Sequence, residues 1–531
     1  MFSSAILIGI YSYLIFVFGL IGLISKPAIL FLTLFYLFSI LFFYRKKLRG
    51  ILKLNLENSK KISVENVLII LISTQAAVNL IGVLGPEISF DALWYHLTLP
   101  KLYIMQNYVS YISGNLLFYS TMPKLTEILY IPLLMFGGET SAKLLHFIFG
   151  LLILIVIYKL SFGFLSKLFS LLAAVIFYSN LVVGWESITA YIDLSRTFYE
   201  VLAILGFLIW YEKRNIKWLI ISAICLGLAI STKVIALESL LIFIVLLTAV
   251  GIFEKIKMIK QILIFAFFSF LIPLPWFIFA LINTGNPFYP FFDRSIDIGT
   301  NFVMPNLINF FKDFISLFLY SSDPISPIYL LSIPILILSF SKAKTKIKLL
   351  YLYTVLALLL WYVTPRIGGG RFTLPYLPVF SIISSYSISK IKDVKLRNIL
   401  VILVIFVAAV SVSYRLVANY KFFPVILEKQ QKSEFLAKNL NFSFGDFYDT
   451  DGYFKKHLKS TDTVLLYGFH NLYYIDFNFI DSSWVKKGDR FNYIAVQNGV
   501  TPKRFSNWKL VYYNNLTKVK LYSMEGKTWH Y

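Results

Sequence analysis

Apolar runs long enough to cross a lipid bilayer recur along most of this chain, and no other feature constrains its fold so tightly. A helix of roughly 17–22 apolar residues covers about 30 Å of hydrocarbon at ~1.5 Å per residue. Candidate spans fall at about 4–24, 28–44, 66–86, 142–160, 165–184, 195–211, 217–232, 234–252, 261–282, 326–341, 347–364, 371–389 and 398–416, about thirteen helices. Of 531 residues, 58% are hydrophobic and 15% charged, and the mean hydropathy is +0.73. A soluble protein cannot hide that much apolar surface, so the expected class is an all-α polytopic membrane protein. The first run lacks a basic leader and a small-residue cleavage site, so it reads as a retained helix.

Charge orients the threading. The formal net charge is +23, but the basic residues sit mostly in short loops between apolar runs, which excludes nucleic acid as the partner and fits the positive-inside pattern. "YRKKLRG" (44–50), "YEKRNIK" (211–217), "FEKIKMIK" (253–260), "SKAKTKIK" (341–348) and "SKIKDVKLR" (389–397) all fall on one side of the threading. That side is expected to be cytoplasmic in a cell (plasma) membrane, with the N-terminus on it. The opposite face then receives 87–141, "ESITAYIDLS" (186–195), 283–325, "PRIGGGR" (365–371) and the tail. Amphipathic stretches within 87–141, "ALWYHLTLPKLYIMQ" and "PKLTEILYIPLLMF", suggest interfacial segments forming a lid, with Trp94 and Tyr95 as interface anchors. The single cysteine, Cys225, lies in an apolar run and reads as a packing residue.

From about residue 420 hydrophobic density drops, and short β-branched and aromatic runs alternate with turn signals. The division expected is two additional helices and a basic loop over 1–65, a transmembrane core over 66–419, and a small α/β or β domain over 420–531 on the outer face. "GDFYDTDG" (445–452) groups Asp446, Asp449 and Asp451, and reads as a solvated turn rather than a cation loop.

Four clusters gather chemistry on the outer face. "EISFDALWYHLTLPK" (87–101) carries Glu87, Asp91, Tyr95 and His96; "TMPKLTE" (121–127) carries Lys124 and Glu127; "WESITAYIDLSR" (185–196) carries Glu186 and Asp193; "TPRIGGGRFTLPYLP" (364–378) carries Arg366 and Arg371. Lys233 adds a cation at the outer end of two spans. Cations at a lipid–water boundary hold a lipid phosphate, Arg with a planar fork for its oxygens. A carboxylate within hydrogen-bond reach deprotonates a hydroxyl or amine. Sugar transfer from a lipid phosphate needs both, because the acceptor loses a proton while the departing phosphate gains charge. The plainer readings are a helix cap for Asp91, pairing with Arg196 for Asp193, and snorkelling for Lys124 and Lys233.

"PEISFDALWYHLTLPKLYI" resembles the first outer loop of the GT-C superfamily of membrane glycosyltransferases, in the phospholipid-carrier-dependent branch related to protein O-mannosyltransferases and the lipid A aminoarabinose transferase. "MPKLTEILY", "AYIDL", "GLAISTKVIAL", "PWFIFALINTGNPFYPFF" and "RFTLPYLP" follow in the family's order, so that the resemblance covers about 85–390. It implies the GT-C fold, a polyprenyl- or dolichyl-phosphate sugar as donor, and a lipid, glycan or protein acceptor. It implies Asp91 as catalytic base, Asp193 as a second acid, and Lys124, Lys233, Arg366 and Arg371 at the donor phosphate. Glu127, His96 and Tyr95 then line the substrate cavity. No cofactor is called for, and two carboxylates leave a divalent metal open. A lipid-linked-sugar transporter is the rival reading, though paired repeats and midplane charges are not evident.

Overall fold

The computed structural model describes residues 1–51, 63–114, 117–293, 306–321, 323–341, 343–364, 369–523 and 528–531. Among the described residues seven helices are long and apolar enough to cross a membrane: Phe2–Leu20, Val64–Leu84, Leu125–Phe162, Asp193–Lys213, Val234–Glu254, Thr345–Val363 and Val394–Ile426. The pair Ile259–Leu271 and Leu274–Thr284, bent by 56°, passes the same test only when its halves are taken together, as a broken span or a re-entrant loop. Pro273 caps its second half and Pro275 lies in the first turn, where a missing N–H breaks the helical ladder. The remaining expected spans are apolar helices too short for the same test: Lys26–Phe42, Lys167–Tyr178, Ile216–Thr232 and Pro327–Phe340, and Leu377–Ser389.

The shortest of these sit inside the bundle, where neighbours replace lipid. Leu377–Ser389 is buried from Leu377 to Ile388. Its hydroxyls meet Pro327–Phe340 through Tyr329–Ser381 (2.8 Å) and Ser332–Ser384 (2.8 Å). Helices in lipid associate through such close packing and hydroxyl bonds, since burial of apolar surface gives no advantage there. Asp193–Lys213 is buried from Asp193 through Leu208. Gly206 lets it approach Ile216–Thr232, since a Cβ there would stand 3.1 Å from Ser222 Cα.

One expectation is corrected here. "PKLTEILYIPLLMF" does not lie in the interface plane as a lid. It opens the 38-residue helix Leu125–Phe162, and Leu125 through Pro132 are all buried. Gly138, at φ 65° and ψ −163°, kinks this helix and carries the first half back into the protein. The polar face of the stretch meets protein groups: Thr126 bonds Ser195 (2.7 Å), and Glu127 bonds His96 (3.0 Å). Trp94 and Tyr95 are likewise not interface anchors. Tyr95 is 7% exposed and stacks on Tyr119 with ring centroids 3.8 Å apart. Trp94 packs against Phe90, Tyr119 and His470.

The chain's ends of helices sort by charge. At one end Lys346 pairs with Glu212 (2.5 Å) and Arg214 with Glu254, drawing three basic loops together. Asp193, Lys233 and Thr364 occupy the opposite end.

After Ile426 the chain builds a small domain. Its strands are β1 (Val464–Tyr467), β2 (Phe479–Asp481), β3 (Arg490–Phe491), β4 (Tyr493–Val496), β5 (Lys509–Tyr513), β6 (Lys520–Ser523) and β7 (Trp529–His530). Five form a sheet in the order β2-β1-β4-β6-β5, with β1 parallel to β2 and β4 and the rest antiparallel; β3 pairs with β7. The acidic turn, expected to be solvated, is so only at its far end: Asp446 is 5% exposed and accepts from Asn441 N (2.6 Å) and Asn471 (2.5 Å), whereas Asp451 is exposed and accepts from Tyr453 N (3.1 Å). The domain docks on the 87–101 stretch. Lys101 donates to the carbonyls of Tyr473 and Ile475, both at 2.6 Å, and Tyr474 donates to Glu87 O at 2.7 Å.

Candidate active site

Arg371 is the centre of the site. It lies in the 3-10 helix Gly370–Tyr376. The preceding Gly370 N–H donates to Asp323 O at 2.9 Å. A Cβ on Gly370 would fall 2.2 Å from that same oxygen, so only glycine permits this approach. From this anchor Arg371 reaches three carboxylates. Its Nη1 donates to Asp91 Oδ2 at 2.5 Å; its Nε and Nη2 donate to Asp193 Oδ2 at 3.1 and 3.0 Å. Nε also stands 3.1 Å from Glu186 Oε1, within ion-pair distance but not aligned as a hydrogen bond. The Tyr191 ring faces the guanidinium, 4.2 Å from Cζ, a cation–π contact. Burial disfavours the charge on Arg371, but Asp193, Asp91 and Glu186 outweigh it and hold the residue charged.

Each carboxylate is positioned by its own element. Asp91 ends the segment leading into the π-helix Ala92–His96, and its N–H donates to Tyr191 Oη at 3.1 Å. Its side chain stays 18% exposed, against 3% for Asp193. Asp193 opens the helix Asp193–Lys213, and its second oxygen takes Lys233 Nζ at 2.7 Å. Arg196 does not pair with it; Arg196 holds Glu200 at 2.6 Å. Glu186 ends the short helix Leu181–Glu186, where burial, then the charge of Asp193, push its carboxyl well above the usual range.

Glu87, His146 and Tyr191 carried no role in the sequence. Glu87 staples two of the loops: Oε1 accepts from Ile88 N (2.9 Å) and Ser89 N (2.8 Å), and Oε2 from Ala190 N (2.7 Å). It thereby fixes the Asp91 segment against the Asp193 segment. His146 acts below them. Its Nδ1 lies 3.0 Å from the carbonyls of Glu186 and Thr189, and its Nε2 accepts from Leu194 N at 3.0 Å, a pattern met by the neutral ring. Lys143 closes the end of Val64–Leu84 by donating to Gly82 O (2.9 Å) and Gly85 O (2.8 Å). The sequence signal for Glu186 and Tyr191 was their place in "WESITAYIDLS", beside Asp193.

The other expected residues separate into a second layer. His96 Nδ1 bonds Glu127 Oε1, and burial with the charges of Arg371 and Lys233 holds the ring far below its ordinary pKa. Lys124 does not join Arg371 or Lys233. Its buried ammonium donates to Ser120 O at 2.5 Å and faces the ring of Trp276 at 4.9 Å. Arg366 lies outside the described residues. Among the described residues no three His, Cys, Asp or Glu side chains are grouped to hold a metal ion. The acids that converge here surround a guanidinium, so this arrangement does not fit a divalent ion.

This geometry provides two largely buried cations, Arg371 and Lys233, beside an acid cluster whose most exposed member is Asp91. It can exchange an internal carboxylate for a ligand anion. Residues 128–286 match the family model for dolichyl-phosphate-mannose-protein mannosyltransferase. No curated protein matches the chain. Among solved structures, ArnT from Cupriavidus metallidurans bound to undecaprenyl phosphate is similar at a TM-score of 0.56 and 11% identity, covering 86% of this chain and 97% of ArnT. The same protein in the apo state gives 0.54 at 11% identity over the same shares. The Archaeoglobus fulgidus oligosaccharyltransferase in complex with Zn and sulfate gives 0.50 at 14% identity, over 81% of this chain and 67% of the enzyme. Over residues 128–286 the chain is thus similar to the dolichyl-phosphate-mannose-protein mannosyltransferase family, and its overall fold is similar to that of ArnT.

Proposed function

We propose that this protein moves a sugar from a polyprenyl- or dolichyl-phosphate carrier to a hydroxyl or amine of a lipid, glycan or protein acceptor, with inversion at the anomeric carbon. The observation that carries the reading is the guanidinium of Arg371 shared between Asp91 and Asp193, with Lys233 on the other oxygen of Asp193. A donor phosphate binds Arg371 and Lys233 in place of these carboxylates. Asp91, the most exposed of the three acids, is then released toward the acceptor. Asp91 takes the acceptor's proton as the acceptor atom bonds the anomeric carbon. The bond from that carbon to the phosphate oxygen breaks, and the phosphate leaves with one more negative charge, held by the two cations. One base and one displacement invert the centre.

The segment match to a family named for a dolichyl-phosphate sugar, and the likeness to a transferase bound to undecaprenyl phosphate, support the choice of donor. The separation of the site from the basic loops supports an outward-facing site, an N-terminus in the cytoplasm and the 420–531 domain outside. The shorter apolar helices, counted with the longer ones, support about thirteen membrane segments.

The test uses purified protein and a labelled polyprenyl-phosphate sugar. Asp91→Asn is expected to lower transfer by ~10²–10⁴-fold, the usual worth of a positioned base, while donor binding persists. Full transfer by this variant would refute the assignment. Movement of the lipid-linked sugar across vesicles without any transfer would instead establish the transporter reading.

A further inference from the structure

A second buried cation, away from Arg371, lacks a counter-charge. Arg415, near the end of the helix Val394–Asn419, is 7% exposed. Its Nη2 donates to Asn419 Oδ1 at 2.9 Å, and its Nε is buried without a hydrogen-bond partner. Among the described residues it makes no ion pair. Of the other buried cations, Arg196 pairs with Glu200, and Lys143 and Lys124 place their ammonium groups on backbone carbonyls, whereas Arg415 keeps a buried N–H with no acceptor. A guanidinium taken out of water without an anion is costly, and its planar fork suits phosphate oxygens.

The surroundings are arranged for such a ligand. A Cβ on Gly184 would meet Arg415 Cγ and Cδ at 3.1 Å, so the arginine stem lies against that glycine, while the neighbouring Gln75 amide is spent on Asn79 Oδ1 at 2.7 Å. Lys421, exposed one short turn after the helix, lies within Coulombic reach of Arg415 and also makes no ion pair among the described residues. Tyr414 and Val417 on the same turns are 58% and 75% exposed, leaving a flank open at the side of the bundle. Arg415 and Lys421 lie at the end of the long helix, Val394–Asn419, nearest the small domain.

We propose that Arg415 and Lys421 form a second phosphate-binding site, taking the phosphate of an anionic lipid headgroup or free phosphate. The site touches the reaction centre mechanically. Gly184 under the arginine stem lies in the helix Leu181–Glu186, whose last residue reaches Arg371.

The test uses the full chain in nanodiscs of phosphatidylcholine alone or mixed with phosphatidylglycerol, and in detergent titrated with inorganic phosphate. Phosphatidylglycerol is expected to raise the melting midpoint of wild type and of Arg371→Gln by several degrees, but not that of Arg415→Gln. Arg415→Lys, which keeps the charge without the fork, is expected to retain part of the rise. Lys421→Gln, at an exposed position the fold does not need, is expected to weaken the lipid by about tenfold, the usual loss of one charged hydrogen bond. An equal, Arg415-dependent rise with inorganic phosphate alone identifies free phosphate as the ligand of the same site. No rise in either medium, or a rise that Arg415→Gln and Lys421→Gln both keep in full, overturns the proposal.

Discussion

At Arg371 one planar group serves Asp91, Asp193 and Glu186 at once, which a lysine cannot copy because its ammonium is a point charge. Arg371→Lys is therefore expected to weaken donor binding by about tenfold or more, measured by titration with a polyprenyl-phosphate sugar. Asp193→Asn removes the partner of two buried cations, and breaking such pairs costs about 3–5 kcal/mol; the melting midpoint of this variant should fall well below that of Asp91→Asn. His96 gives a pH signature. Its folded pKa is depressed by burial and neighbouring cations, so the unfolded chain binds the extra proton first. The stabilisation is present above the ordinary histidine value of about 6.5 and is lost as pH falls toward the depressed one. Wild type should lose melting temperature on acidification from neutral pH, and His96→Gln should lose less. Asp91, Asp193, Lys233 and Arg371 were legible because chemistry-bearing types stood at one end of the apolar runs. Lys124 carried the same signal and went elsewhere, since nothing in the sequence reports that Trp276 and Ser120 would enclose it. His146 was hidden for the opposite reason: it lies inside an apolar run and its partners are backbone groups.

Among elements, long apolar runs were readable and their interruptions were less so. The bend at Pro273 follows from a missing donor, yet a run of 261–282 reads as one span. The stretch 123–136 misled because an amphipathic pattern does not say what meets its polar face. Here Ser195 and His96 meet it rather than water. Gly370 carries the sharpest consequence at this scale. Gly370→Ala places a methyl group 2.2 Å from Asp323 O, which must shift the segment that presents Arg371. Donor binding should fall by tenfold or more while the far-UV circular dichroism of the helices is unchanged, because the clash is confined to a short 3-10 helix and its partner turn.

For the whole molecule, the drop in hydrophobic density marked where the small domain begins, but not how it sits. Its main ties run from Lys101 to the carbonyls of Tyr473 and Ile475 and from Tyr474 to the carbonyl of Glu87, and backbone acceptors leave no trace in a sequence. Lys101→Met should raise amide hydrogen exchange across 470–476 while leaving exchange in Leu377–Ser389 unchanged. The acid-lined guanidinium also bears on how fast such a protein can cycle. A phosphodiester donor carries one negative charge, whereas the phosphate monoester left after transfer carries up to about two at neutral pH, as a second ionisation near pH 6 allows. Arg371 and Lys233 must trade internal carboxylates for either ligand, and the more highly charged one repays that exchange better. On the proposed reading, spent carrier therefore outcompetes fresh donor, added polyprenyl phosphate inhibits competitively, and turnover keeps time with whatever clears the empty lipid from the membrane.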